Sequence, residues 1–285
     1  DYLDRVKELN QPGAAITDHG NLYGALEFYH SALKKKLIPI IGYEAYVIND
    51  SRFDRPDREN NKRYHLTLLA ENTVGYWNLV KMASKAFTEG YYYKPRVDYE
   101  LLKDHSEGII ALSGCLGGEI SQFLAPDGSV EEGNQEGERS FTKALEKARF
   151  YQSIFGENNF FIELHNHGIA QQKIILPDLL KISEEIGAPL VATNDSHYVN
   201  QDDASAHDAL LCVQTNATLD DNTRFKFDGS GYYVKSSEEM RKLFPEEKFP
   251  KACDNTVEIA ERIEYNFSSP KYYLPDFPVP EKNKT

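Results

Sequence analysis

The sequence is poor in cysteine and in basic residues, and it has no long apolar run. Three cysteines among 285 residues are too few and too scattered for a disulfide framework, which is typical of a reducing compartment. No apolar run approaches the roughly 18 residues that a membrane-spanning helix needs. A net charge of -13 argues against a surface that wraps a phosphate backbone through clustered Lys and Arg alone. We therefore expect a cytoplasmic protein without a membrane partner, which would need a metal or another domain to bind nucleic acid.

Several catalytic motifs are also missing. The sequence contains no phosphate-binding loop of Walker type, no G-x-S-x-G nucleophile motif and no C-x-x-C pair. The chain begins with DYLDRVKELN, already in a helical pattern, and ends with the proline-rich LPDFPVPEKNKT. Both ends are typical of a piece taken from a longer protein.

Apolar segments of strand length alternate with segments of helical periodicity. The predicted strands are AAIT, IPIIGYEAYVI, YHLTLLA, GIIALSG, FFIEL and PLVATND, and the predicted helices between and after them include LYGALEFYHSALKKK, TVGYWNLVKMASKAF, FTKALEKARFYQSIF, IILPDLLKISEEIG and DDASAHDALLCVQ. In the first helix, Leu22, Leu26, Tyr29 and Leu33 fall on one face. Strands that are nearly all apolar and alternate with helices indicate an α/β fold with a parallel sheet. An open doubly wound sheet and a closed barrel both fit this pattern.

Polar side chains with metal-binding ability gather within the predicted strands or just after them. They are Asp18, His19, Glu44, His65, Cys115, His165, His167, Asp195 and His197. Because ligands of parallel α/β folds bind at the carboxyl edge of the sheet, these residues are expected to converge there. Imidazole, thiolate and carboxylate are the ligands of zinc and related transition metals. Their number exceeds what one tetrahedral ion needs and predicts two or more ions, an arrangement suited to attack on a phosphoryl group.

Each residue also has a simpler interpretation. Asp18 and Asp195 are each placed to cap a following helix. Cys115 reads equally well as a small buried apolar residue, and His65 as a hydrogen-bonded core histidine. Glu44 is harder to explain in this way, because a carboxylate inside an apolar strand needs a partner.

Other histidines and tyrosines are predicted to lie away from this edge. His30, His105 and His207 fall on predicted helices. The Tyr91 to Tyr93 run and the Tyr232-Tyr233 pair could stack on bases, but few basic residues are interleaved with them, so packing is the favoured interpretation.

Six motifs in order carry a resemblance to a known family. ITDHGN, IGYEAYV, KRYHLTLLAENTVGYWNL, SGCLGGEI, FIELHNHGI and VATNDSHYVN resemble the PHP (polymerase and histidinol phosphatase) domain. GALEFYHSALKKKLIPIIGYEAYV and LPDFPVPE are similar to the subfamily at the N-terminus of the bacterial replicative DNA polymerase III alpha subunit. The resemblance implies a distorted (βα)7 TIM-like barrel over residues 1–270, with residues 271–285 as a linker toward the polymerase palm domain. The family's first strand, which carries two histidines and an acid, is missing from this chain.

The resemblance also implies the roles of individual residues. His19, Glu44, His65, Cys115, Asp195 and His197 match family ligand positions for divalent zinc, manganese or iron, in a site that is multinuclear in the intact domain. Asp195 and His197 are the residues expected to act in catalysis. Asp18, His165 and His167 are expected beside the ligands or facing the substrate.

The function implied is that of a PHP domain in a DNA-directed DNA polymerase that acts in DNA replication. Such a domain resembles a metal-dependent 3′–5′ exonuclease, a phosphoesterase that removes misincorporated nucleotides, while polymerisation with Mg²⁺ belongs to the rest of the subunit. The implied partners are DNA through the parent polymerase, the palm domain in cis, and proofreading and clamp subunits. Two alternatives remain: a structural scaffold without activity, and a stand-alone PHP phosphatase.

Overall fold

The computed structural model describes residues 1–57, 60–125, 139–265 and 267. The strands found there are β1 (Gly13–Ile16), β2 (Ile38–Ile48), β3 (Tyr64–Ala70), β4 (Arg96–Asp98), β5 (Ile109–Leu112), β6 (Phe160–Leu164) and β7 (Leu190–Ala192). The helices are α1 (Tyr2–Glu8), α2 (Ala25–Lys34), α3 (Thr73–Thr88), α4 (Tyr99–Asp104), α5 (Glu119–Leu124), α6 (Phe141–Phe155), α7 (Ala170–Ile186), α8 (Ala204–Thr215), α9 (Ser237–Leu243) and α10 (Asp254–Arg262), with a 3₁₀ helix at Gln201–Asp203. The predicted linker at 271–285 lies outside the described residues.

The strands form one sheet in the order β1-β2-β3-β5-β6-β7, with β4 paired to β2. The chain is therefore α/β, as predicted. Most pairs are parallel, but β3 runs antiparallel to both β2 and β5. The expectation of a parallel sheet is wrong for this strand. A parallel return requires a crossover, usually a helix, and the described residues between β2 and β3 contain no α-helix.

The sheet is curled, with two faces of different composition. Inward side chains from β1, β2, β3, β5, β6 and β7 line one common cavity. The strand pairings include no contact of β7 with β1 in the described part of the chain, so the sheet forms an open half-barrel. This curl agrees with the distorted barrel that the resemblance implies.

The outer face of the sheet is apolar and packs against helices. Alternate residues of β2 and β3, such as Tyr43, Ala45, Leu66 and Leu68, are fully buried in the main core. Helices α3, α6 and α7 contribute the other side of this core. The inner face has a smaller apolar layer, formed by Ile40, Leu69, Ile110, Leu112, Phe161 and Val191 with Ile259 and Ala260 of α10.

Helix α2 buries a different face from the one predicted. Leu26 and Leu33 are 55% and 48% exposed, and the buried residues are Ala25, Phe28, Tyr29 and Ala32. The alanine and aromatic stripe has the same helical spacing as the leucine stripe, so periodicity alone does not choose between them. Within the described residues, no helix is long and apolar enough to cross a bilayer.

Candidate metal centre

The candidate site is a cavity of about 590 Å³ on the concave face of the sheet. Its walls come from the strands on one side and from residues after β1 and β7 on the other. Of the predicted residues, Asp18, His19, Glu44, Cys115, His165, Asp195 and His197 line it. His65 contacts Glu44 and Cys115 directly behind this lining.

Three metal-donor side chains lie together at the centre of this site. His19 follows β1 and forms a parallel bridge with Glu44 on β2. The Nε2 atom of His19 lies 3.6 Å from Oε2 of Glu44, and Nδ1 of His65 lies 2.9 Å from Oε1 of the same carboxylate. One donor atom from each of the three residues falls within 4.8 Å of the others. The sequence placed His19, Glu44 and His65 at this edge, and the structure brings them together.

The β2–β3 register explains why Glu44 and His65 meet. Glu44 pairs with Thr67 and Tyr46 pairs with His65 in the antiparallel ladder. Since residues two apart share one face of a strand, Glu44 and His65 both point to the concave side. The rings of Tyr46 and His19 stack at 5.8 Å.

Cys115 lies in a turn after β5 that docks onto His65. Its Sγ atom is 3.4 Å from Nδ1 of His65 and accepts a hydrogen bond from the Gly117 amide. Gly114 has a φ of +85°, and a Cβ atom there would approach the His65 carbonyl oxygen to 2.6 Å. Glycine is therefore required for this close approach of the turn to β3.

The charges within this group depend on one another. Burial acts to raise the pKa of Glu44, but the hydrogen bond and charge of His65, together with His19, lower it to about 2. Burial acts to lower the pKa of His65, yet Cys115 and Glu44 raise it well above its ordinary value. Burial raises the pKa of the Cys115 thiol, although His65 opposes this. Without metal, the carboxylate is thus charged and compensated by the imidazolium of His65.

These residues fit a divalent cation on structural grounds. The Nε2 atom of His65 is buried and has no hydrogen-bond partner among the described residues. A buried polar atom without a partner is costly, and coordination would satisfy it. Two imidazoles, a carboxylate and a nearby thiol form a donor set for transition metals.

Asp195 and His197 lie on the opposite wall, after β7. The amide of His197 donates to the Tyr232 carbonyl oxygen at 2.8 Å, and Nδ1 of His197 is 2.8 Å from the Asp195 carbonyl oxygen. Asp195 has a φ of +43°, in the left-handed region that a non-glycine residue rarely adopts. Burial, with the charge of Glu44, raises the pKa of its carboxyl. These two residues and Cys115 line the cavity but fall outside the compact group of three.

A buried lysine holds the backbone before Asp195 in place. The Nζ atom of Lys235 donates to Oδ1 of Asn194 at 2.8 Å and also to the Gly231 carbonyl oxygen. Nδ2 of Asn194 donates to the carbonyl oxygens of Gly231 and Tyr233. Burial lowers the pKa of Lys235 to about 8. The segment that carries Asp195 is therefore fixed from behind by side-chain contacts.

The three flanking candidates have different environments. His167 stacks on Tyr232 with ring centroids 4.0 Å apart, and its two ring nitrogens bond to Gln172 and to the Asn194 carbonyl oxygen. His165 lines the cavity and bonds through Nε2 to Thr193 and Glu163. Asp18 lines the cavity, and its backbone oxygen accepts from the Glu44 amide at 3.1 Å.

Sequence reasoning missed Glu163. This residue of β6 is 5% exposed and receives hydrogen bonds from the Gly114 amide and from the hydroxyls of Thr67 and Thr193. It therefore connects the turn that carries Cys115 with the segment that carries Asp195. The signal was present, because FFIEL contains an acid inside an apolar strand, as IPIIGYEAYVI does.

His207 and Tyr232 also lie closer to the site than the sequence indicated. The ring of His207, on α8, is 5.6 Å from that of His197, so the expectation that it lies away from the edge is wrong. The segment 216–231 returns to pack against α8 and completes this aromatic contact. Helical periodicity along α8 alone does not reveal such a contact. Tyr232 packs on His167, in agreement with a packing role for this tyrosine.

Comparison with known proteins gives a family and a set of relatives. A family model described as the PHP domain matches residues 1–167. DNA polymerase III subunit alpha of Thermus aquaticus is 45% identical over 99% of this chain and 23% of that protein. The subunit of the same name from Deinococcus radiodurans is 44% identical over 99% of this chain and 21% of that protein, and that of Borreliella burgdorferi is 40% identical over 100% and 24%. The chain therefore spans less than a quarter of the length of these relatives.

One solved structure shows a weak likeness. It comes from Bifidobacterium adolescentis and is provisionally assigned as a metal-dependent phosphoesterase. It aligns with 68% of this chain and 80% of its own chain at 9% identity and a TM-score of 0.35. This similarity is too low to carry an argument.

Proposed function

Because the chain belongs to the PHP domain family, we propose that it is the PHP domain of a bacterial replicative DNA polymerase III alpha subunit and that its metal centre hydrolyses phosphodiester bonds. The observation that carries the proposal is the group of His19, Glu44 and His65, whose donor atoms lie within 4.8 Å of one another beside a cavity of about 590 Å³. The polymerase-subunit relatives support the broader assignment to DNA replication.

The proposed ligands are His19, Glu44, His65, Cys115, Asp195 and His197. Sulfur and nitrogen donors favour zinc or iron over the oxygen-preferring Mg²⁺, and the carboxylates of the set also suit manganese. Bound divalent ions would lower the pKa of the attacking water and neutralise charge on the phosphoryl oxygens.

The chain's own residues prepare the site for this chemistry. Glu44 offers a carboxylate at neutral pH, since its pKa lies near 2. Asp195 and His197 face the strand group across the cavity, where the phosphate would lie between the two walls. In 3′–5′ hydrolysis, the water oxygen joins phosphorus, the bond from phosphorus to the 3′ oxygen of the preceding nucleotide breaks, and that oxygen takes up a proton.

DNA synthesis is proposed for other parts of the same subunit, with Mg²⁺ as its cofactor. This chain would contact DNA through that subunit and the palm domain in cis. Proofreading and clamp subunits are proposed as further partners. The acidic net charge of -13 is consistent with primer-template binding elsewhere in the protein.

Elemental analysis of the purified full-length protein tests the proposal. We expect bound zinc, manganese or iron, a loss of metal in Asp195→Ala and His197→Ala, and release of mononucleotides from a 3′ end by the metal-bound protein. His30→Ala is the matched control, because His30 is an exposed histidine on α2. A protein that binds no transition metal would overturn the proposal.

One observation favours a structural scaffold as the second candidate. Cys115, Asp195 and His197 fall outside the compact donor group, so three of the six proposed ligands are not drawn together with the others. A structural scaffold would fold and remain stable without metal. It would hydrolyse no phosphodiester. The stand-alone phosphatase has less support, because the relatives named here are polymerase subunits.

A further inference from the structure

An aromatic ladder leads from the protein surface to His197. Phe225 is 53% exposed, and its ring centroid lies 5.7 Å from that of Phe227. Phe227 is 4.6 Å from the ring of His197, in an edge-to-face arrangement. Three rings in succession thus connect solvent with a candidate ligand of the cavity.

The segment that carries this ladder is anchored to the fold. The two terminal guanidinium nitrogens of Arg224 donate to the carboxylate of Asp208 on α8, at 2.6 and 2.7 Å. Phe227 also packs against His207 and Tyr232, with ring centroids 5.0 and 4.7 Å away. The exposed ring of Phe225 therefore projects from a fixed base.

The sequence RFKF places a cation beside each ring. Arg224 is neutralised by Asp208, whereas Lys226 is exposed between the two phenylalanines. Aromatic rings with an adjacent cation match the chemistry of an unpaired nucleotide, which offers a flat base and a phosphate. A base inside a duplex has both faces covered by the neighbouring base pairs and cannot stack on Phe225, whereas an unpaired base can.

We propose that Phe225, Lys226 and Phe227 form the entry surface for the 3′ end of single-stranded DNA. A base near the end stacks on Phe225, and its phosphate passes Lys226 toward His197. This inference rests on the proposed function and names the part of the molecule that receives the substrate.

The surrounding charge determines the mode of binding. Asp220, Asp221 and Asp228 flank the same segment and are exposed. With one free cation in this segment, binding depends on stacking more than on charge neutralisation. The logarithm of affinity should therefore fall with the logarithm of salt at a slope of about -0.7, the value for one phosphate contact to a single strand.

Hydrolysis kinetics of the full-length protein test the surface. Phe225→Ala should raise the KM for a short oligothymidylate by about five- to a hundred-fold, the range reported for loss of one stacked base. Its kcat, and its hydrolysis of methyl p-nitrophenyl phosphate, which carries no base, should not change. Phe225→Trp should restore the KM.

Tyr91→Ala is the matched control, because Tyr91 is also 53% exposed and belongs to a separate aromatic patch with Phe87. It should leave the KM unchanged. An unchanged KM in Phe225→Ala would overturn the inference while hydrolysis of the small diester still supports the proposed function.

Photocrosslinking tests the proposed entry surface even if the protein hydrolyses no DNA. An oligothymidylate with 5-iodouracil at its 3′ end should crosslink to the segment 224–227, and the crosslink should be lost in Phe225→Ala. Crosslinks elsewhere in the protein, with none in this segment, would overturn it. Absence of both metal and hydrolysis would instead count against the proposed function.

Discussion

The two walls of the cavity hold their acids in opposite ways. On the strand wall, Glu44 lies in a regular ladder beside His65 and His19, and these partners lower its pKa to about 2. On the other wall, Asp195 lies in an irregular segment with a left-handed φ, and burial raises the pKa of its carboxyl. The histidines compensate the charge of Glu44 without any metal, whereas burial disfavours the charged form of Asp195. We propose from this difference that the metal-free fold depends on the strand wall and that the Asp195 wall is arranged for a ligand.

The strongest test of this contrast compares the free energies of unfolding of two variants, Glu44→Ala and Asp195→Ala. Removing Glu44 leaves His65 buried with its charge uncompensated, so the free energy of unfolding of the metal-free protein should fall by about 3–5 kcal/mol. Asp195→Ala should cost far less. Urea unfolding of both metal-free variants measures the difference, with Glu44→Gln to separate charge from shape. Equal losses in the two alanine variants would contradict the comparison.

Glu163→Ala should weaken both walls together. Its carboxylate accepts from the Gly114 amide and from Thr67 and Thr193, and these donors would lose their partner. We expect the free energy of unfolding to fall by about 2–4 kcal/mol, because buried donors without partners are costly. Glu157→Ala is the control, since Glu157 is exposed. If urea unfolding finds the two variants equal, Glu163 does not connect the walls energetically.

At low pH, protonation of His167 should destabilise the wall of the cavity that contains Asp195. Burial, together with the nearby charge of His165, lowers the pKa of His167 to about 3, from an ordinary value of 6.5. Between these values the unfolded chain binds a proton that the folded chain does not, so stability rises with pH in this window. From pH 8 to pH 5 the metal-free protein should lose about 2 kcal/mol from this group.

His167→Gln tests the assignment, because it removes the titrating ring and leaves a side chain that can still bond. Urea unfolding at several pH values should show a shallower dependence in the variant between pH 3 and 6.5. An identical slope in both proteins would place the titration elsewhere.

Asp195→Gly should have the smallest effect on stability and the opposite sign. Glycine adopts the left-handed conformation without strain, and the substitution removes a half-buried carboxyl near Glu44. The metal-free protein should become more stable, by up to about 1 kcal/mol, while metal binding weakens. Loss of stability in the metal-free state would show that Asp195 supports the fold.

The sequence predicted the strand wall better than the opposite one. Glu44 was identifiable because an acid inside an apolar strand needs a partner, and the ordered strand fixes the direction of its side chain. The same reasoning would have found Glu163, so that omission was avoidable. The antiparallel direction of β3 was not visible, because the residues of one strand do not fix the direction of the strands beside it.

The environment of Asp195 and His197 lay beyond sequence reasoning. Their geometry depends on Lys235, Tyr232 and Phe227, which come from an irregular segment that returns to the site. Contacts made by an irregular segment leave no periodic pattern in the sequence. The exposed leucines of α2 show the related limit, since two stripes with equal spacing are present and packing against the sheet selects the stripe of alanine and aromatic residues.

The antiparallel ladder between β2 and β3 has a consequence for synthesis of the chain. Glu44 and His65 belong to neighbouring strands that are joined by the 15 residues 49–63, so they can pair without waiting for distant parts of the chain. Asp195 lies far downstream and leaves the ribosome much later. A nascent chain can therefore neutralise Glu44 before Asp195 has been made.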